Sequence, residues 1–121
     1  MNLYMAGTES IPELMLQSEQ TTEAYTKLME ALQDFAGVKV QEKRNSLWLV
    51  SGKDAFLGVQ TRKAGIRITL VLDRELKHPR IVKSEQVSKS RFHNELDFDA
   101  SATIDKELKA WLKEAYDVQH R

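Results

Sequence analysis

The sequence predicts an α+β fold: an antiparallel meander of four to five strands, with an N-terminal and a C-terminal helix packed on one face. Three observations carry this. Residues 22–36 and 104–118 repeat apolar residues at helical spacing. Residues 38–72 alternate apolar and polar positions in short runs separated by polar turns. The alternation returns once, over 91–98, just before the second helical pattern. Two amphipathic helices and a sheet with one apolar face satisfy each other as two layers.

The elements follow in order. In the leader, residues 1–20, a short helical turn is expected: Ser10 as cap, Pro12 in the first turn, Glu13 three residues after Ser10, and Ile11, Leu14 and Met15 packing it down. The first helix is expected over Thr22–Ala36, capped by Thr21 or Thr22. Its buried stripe is Tyr25, Leu28, Met29, Leu32, Phe35 and Ala36, and Gly37 is its left-handed stop. Strands are expected at Val38–Glu42 (Val38 and Val40 inward), Ser46–Ser51, Ala55–Thr61 and Ile66–Leu72. The last is the cleanest, with Ile66, Ile68, Leu70 and Leu72 on one face. Short connections make neighbours antiparallel. Residues 73–89 lose the alternation and read as a long charged loop or a short edge element at Ile81–Val87. Pro79 argues against a central strand there. A closing strand spans Arg91–Phe98, with Phe92, Asn94, Leu96 and Phe98 on one face. The last helix spans Ile104–Val118, with Leu108, Trp111, Leu112, Ala115 and Tyr116 in its stripe.

The chain's 121 residues fit one domain, 1–121. Composition is that of a folded protein, 41% hydrophobic and 30% charged. There is no cysteine, which excludes disulfides, thiol nucleophiles and thiolate zinc sites, and suits a cytoplasmic protein. No signal peptide and no membrane span are expected. The net charge is zero but unevenly spread. Between Lys39 and His93 stand thirteen basic and five acidic residues, a net +8, while residues 1–38 carry −5 and residues 94–121 carry −3.

The closing motif runs Arg91-Phe92-His93-Asn94-Glu95-Leu96, then Ile104-Asp105-Lys106-Glu107-Leu108, then Trp111-Leu112-Lys113-Glu114-Ala115-Tyr116. It resembles the ending of the domain of unknown function 5655, an uncharacterised family of small prokaryotic domains. Tyr4-Met5-Ala6-Gly7 is similar to the family's leader, and the order from Tyr25 to Leu72 follows it. The resemblance implies the fold; the family has no established activity to pass on. Many members carry paired histidines in the last strand, whereas here His93 is followed by Asn94.

Candidate sites follow from parity. If Leu47, Leu49, Leu57, Val59 and the even-numbered residues of 66–72 face the helices, then Trp48, Val50, Phe56, Arg67, Thr69 and Val71 face away. Aromatic residues beside basic ones on an open sheet suit stacking and anion contacts. The leading expectation is therefore a binding or protein-interaction module using this outer face and the basic 73–93 loop. Trp48 and Phe56 would stack, Arg67, Arg80 and Arg91 would pair charges, and His93 would join Arg91. The partner would be an anionic ligand, nucleic acid or a protein. The plainer alternative makes Trp48 and Phe56 a minor core, covered by residues 73–89 or by a second copy, and a homodimer needs no ligand at all. A further alternative is an enzyme or metal-dependent site centred on His93 and Glu95. The sequence assigns no catalytic residue, no metal and no cofactor: it has no phosphate-binding glycine loop and no nucleophile elbow, and its three histidines are scattered. Trp111 and Tyr116 lie at core spacing.

Overall fold

The computed structural model describes residues 11–121. Ser10 and the Tyr4–Gly7 leader lie outside the described residues. A 3₁₀ turn at Glu13–Leu16 follows Pro12 and buries Met15 completely. Helix α1 (Glu19–Ala31) comes next, then strands β1 (Lys39–Lys43), β2 (Ser46–Ser51), β3 (Asp54–Arg62) and β4 (Gly65–Leu72). Strands β5 (Lys83–Ser88) and β6 (Arg91–Asp99) and helix α2 (Lys106–Val118) complete the chain. The strands form one antiparallel sheet in the order β1-β2-β3-β4-β6-β5. The fold class is α+β, as the alternation requires. The sixth strand is β5, where the sequence offers either a loop or an edge element.

The core sits where the β4 alternation puts it. Ile66, Ile68, Leu70 and Leu72 are fully buried, and with Leu47, Leu49, Leu57, Val59, Leu96 and Phe98 they meet Leu28 of α1 and Leu108, Leu112 and Ala115 of α2. Burial pushes the Tyr25 hydroxyl up to about 12.

Three local expectations are corrected. Helix α1 starts earlier, because the Ser18 side chain, not Thr21 or Thr22, accepts from the Thr21 N–H at 3.1 Å. Thr21 instead donates its hydroxyl to Arg62 O and Gly65 O, tying α1 to the β3–β4 turn. Helix α1 also ends earlier, in tightened i→i−3 turns through Phe35. These swing Phe35 against Phe56 and Tyr116, with ring centroids 6.5 and 4.8 Å apart. Gly37 still takes the left-handed conformation, at φ 72. Val40 does face the helix side, opposite the buried Leu49, but on the edge strand β1, exposed along its whole length, it stays 40% exposed. Helix α2 begins at Lys106, where the Asp105 carboxylate accepts from the Leu108 N–H at 2.9 Å.

The connection 73–82 does not cover the outer sheet face. It runs along the helix layer, where Leu76 is buried and Arg74 pairs with Glu114 at 2.8 Å. His78 meets Glu107 at 2.9 Å, and Arg80 meets Asp105 at 3.1 Å. Asn94, fully buried on β6, holds this connection down. Its Oδ1 accepts from the Leu76 N–H and the Ser84 hydroxyl, both at 2.8 Å, and its Nδ2 donates to Arg74 O at 3.1 Å.

Candidate functional site: the outer sheet face

Trp48 faces away from the helices. It lies between Leu47 and Leu49, which are fully buried on the helix side, while it stays half-buried itself. Its indole N–H donates to the Ser46 hydroxyl at 3.1 Å. The ring lies flat across Gly58, its partner on β3, where a Cβ would sit 2.8 Å from the indole. A mid-strand glycine marks such a close approach. The indole then meets the His93 imidazole of β6, ring centroids 5.6 Å apart. β2 and β6 are three strand spacings apart, about 14 Å. The indole bridges part of that span by lying across β3, and the imidazole meets it over the strands between. The β4 residues beneath are Thr69 and Val71, paired with Gly58 and His93 respectively, and they are only 6% and 2% exposed. The indole and imidazole therefore roof a small second core.

Ion pairs ring this roof. Arg67 grips Asp97 through two nitrogens, at 2.7 and 3.1 Å, and reaches Glu95 at 3.5 Å. Arg62 approaches Asp97 at 3.8 Å. Arg91 crosses to Asp54 on β3. The Arg67 guanidinium holds the Asp97 carboxyl below its ordinary value, and the Arg91 bond does the same for Asp54.

Of the residues expected to form a site, the structure brings together Trp48, Arg67, Arg91 and His93 on one face. It separates the other two. Phe56 is fully buried on the helix side, its ring edge-on to Tyr116 at 5.5 Å. The cause is a β-bulge: Leu49 pairs with Leu57 and Val50 with Ala55, so Phe56 is the extra residue and turns to the same side as Leu57. Arg80 stands over Trp111 at 5.7 Å, at the start of α2, in the helix layer. Both Arg67 and Arg91 are engaged by carboxylates of this chain, as is Arg80. Glu95 lies on the same face as His93, two residues along the strand, with Arg67 as its ion-pair partner. Among the described residues no group of three His, Asp or Glu side chains converges on one point. Gly58 was not singled out by sequence. Its signal there is a glycine interrupting the third strand on the parity that faces outward, opposite a tryptophan.

Burial lowers the His93 pKa, and this outweighs the pull of Glu85 and Glu95 toward the charged form. The unfolded chain then takes up a proton near pH 6.5 that the folded chain refuses. The stability given by neutral His93 is complete above that pH and declines as pH falls through it toward the lower folded value. Urea titrations between pH 8 and 5 are expected to show a steeper acid-side loss in the parent than in His93→Gln. Parallel curves would mean the ring is not desolvated.

Among the described residues no helix is long and apolar enough to cross a membrane. No curated protein and no solved structure matches the chain. The family model of the domain of unknown function DUF5655 matches residues 13–119, nearly all of the 121-residue chain, and the chain belongs to that family.

Proposed function

We propose that the chain is a protein-interaction module, acting as one domain, whose contact surface is the outer sheet face. The observation that carries this reading is the half-buried Trp48 ring, held over Gly58 against His93 at the middle of the sheet. Interfaces that recognise proteins combine a central aromatic anchor with a polar rim, and tryptophan is enriched among their energetic centres. Here the rim is Arg67 with Asp97 and Glu95 on one side and Arg91 with Asp54 on the other. That alternation of sign favours a partner of mixed charge. It disfavours a polyanion, because each of these arginines already has a carboxylate.

Photo-cross-linking in the native host tests this. A cross-linker at Gln60, exposed on the outer face beside Arg67, is expected to give discrete protein adducts. One at Lys109, exposed on α2, is expected to give none of the same adducts. Trp48→Ala is expected to reduce the Gln60 adducts about tenfold or more, with the circular dichroism spectrum unchanged. Identical adducts from both positions, or salt-sensitive binding of a single-stranded oligonucleotide lost on Trp48→Ala, would replace this reading.

A further inference from the structure

The open edge at β5 points to a second copy of the chain. β5 pairs only with β6, and its other side is free among the described residues. The direction of its backbone groups is fixed through β6 by two hydrogen bonds. The Ala100 N–H donates to Ala64 O at 2.9 Å, turning the even-numbered residues of β6 toward β4. On the other side the Val82 N–H, just before β5 begins, donates to Glu95 O at 2.8 Å. The Glu95 backbone therefore faces β5. In an antiparallel pair, N–H and C=O of one residue point to the same side, and the side alternates along the strand. So Lys83 and Glu85, opposite Glu95 and His93, turn their backbone groups inward to β6. Ser84 and Gln86 turn theirs outward, unpaired. An exposed edge of this kind is a template for another strand.

Charge decides which strand fits. With a two-fold axis at Ser84, the two Ser84 residues exchange both hydrogen bonds. Lys83 then lies opposite Glu85 of the second copy, and Glu85 opposite its Lys83. Opposite charges facing across strands are favourable, and like charges are not. Moving the axis to Glu85 sets glutamate against glutamate, and moving it to Lys83 sets lysine against lysine. The strand is self-complementary in one register and repels itself in both neighbours. Strand β1, the other edge, lacks this property. With the axis at Gln41, Lys39 faces Lys43; at Glu42, the glutamates face each other; at Val40, Lys39 faces the neutral Gln41. The β5 edge also has apolar surface at both ends, since Val82 is 53% and Val87 44% exposed.

We infer that the chain forms a two-fold homodimer by antiparallel pairing of β5 with β5 through Ser84, joining two six-stranded sheets into one. Lys83 and Glu85 adjoin the contact surface of Trp48, opposite Glu95 and His93, but mass in solution and cross-linking read the two separately, and either can fail without the other. Sedimentation velocity over roughly two decades of concentration is expected to show the 13.9 kDa monomer giving way to a species of twice that mass. Hydrogen exchange at Ser84 and Gln86 is expected to slow in step. Lys83→Glu places four carboxylates across the seam and is expected to weaken association about tenfold or more. The double variant Lys83→Glu/Glu85→Lys restores opposite charges in the same register and is expected to return to within about threefold of the parent. A parent that stays monomeric throughout overturns the inference. So does a dimer indifferent to Lys83→Glu, or a double variant no better than the single one.

Discussion

Replacing Gly65 by alanine is expected to cost about 3 kcal/mol or more of folding stability, lowering the melting temperature by about 10 °C. A Cβ on Gly65 would lie 2.2 Å from Phe98 O, 3.0 Å from the Asp99 Cα and 3.1 Å from the Ala100 N. All three are backbone atoms, so no rotamer change relieves the clash. The strands themselves must part, at the pairing of β4 with β6. That pairing carries Ile66 opposite Phe98 and Ile68 opposite Leu96, both in the core. The Ala100 N–H to Ala64 O bond, 2.9 Å, lies in the same place. Helix α1 feels it too, because the Thr21 hydroxyl donates to Gly65 O and the Lys27 ammonium to Ala100 O and Ala102 O. Gly37→Ala is the control. Its cost is the left-handed φ of 72 in open surroundings, the nearest atom being Ser51 Oγ at 3.8 Å, and it should lose about 1 kcal/mol. Urea unfolding of both variants makes the comparison. If Gly65→Ala loses no more than Gly37→Ala, the two strands do not approach as closely as described.

Asn94→Leu is expected to lose about 3 kcal/mol although the two side chains are nearly equal in size. The cost lies in what is left behind. Leucine removes the acceptor of the Leu76 N–H and the Ser84 hydroxyl, and the donor to Arg74 O. Leu76 is buried, so its N–H has little access to water in exchange. The effect should be local. Hydrogen exchange is expected to speed up at Leu76 and across 73–82, while α1 and α2 keep their protection. Uniform acceleration over the whole chain would instead make Asn94 one core residue among many.

Asn94 also shows how far the site and the fold could be read from the chain. It stands on the parity of Phe92, Leu96 and Phe98, so its burial was legible. A single amide among apolar residues signals that backbone groups come to it. Which backbone groups come was not legible, because Arg74, Leu76 and Ser84 reach it from a segment without periodicity. Phe56 failed for a different reason. Parity counts residues, and a bulge adds one without any mark in composition; the adjacent apolar pair Phe56-Leu57 was the only trace. Trp48 was placed on the correct side because Leu47 and Leu49 fix its parity with no bulge between them. His93 was placed outward for the same reason, opposite Val71 on β4. That the two rings touch depends on which strands lie between them and on the glycine that lets the indole cross β3, which no single strand encodes.

Charge gives the sharpest division. A +8 middle segment between acidic ends reads in one dimension as a surface awaiting an anion. In three dimensions the middle is folded against the last quarter. Arg67 meets Asp97, Arg74 meets Glu114, Arg80 meets Asp105, and Arg121 returns to Asp73. Ion pairs act over a few ångströms while these partners lie 25 to 48 residues apart. Periodicity acts within one element, over two or four residues, and so the amino acids alone settled the helices, the inward face of β4 and the two-layer class. Which cations were neutralised, where the bulge turned Phe56, and how Trp48 came to rest on Gly58 beside His93 depended on contacts between elements. Only the packed sheet and helices could decide them.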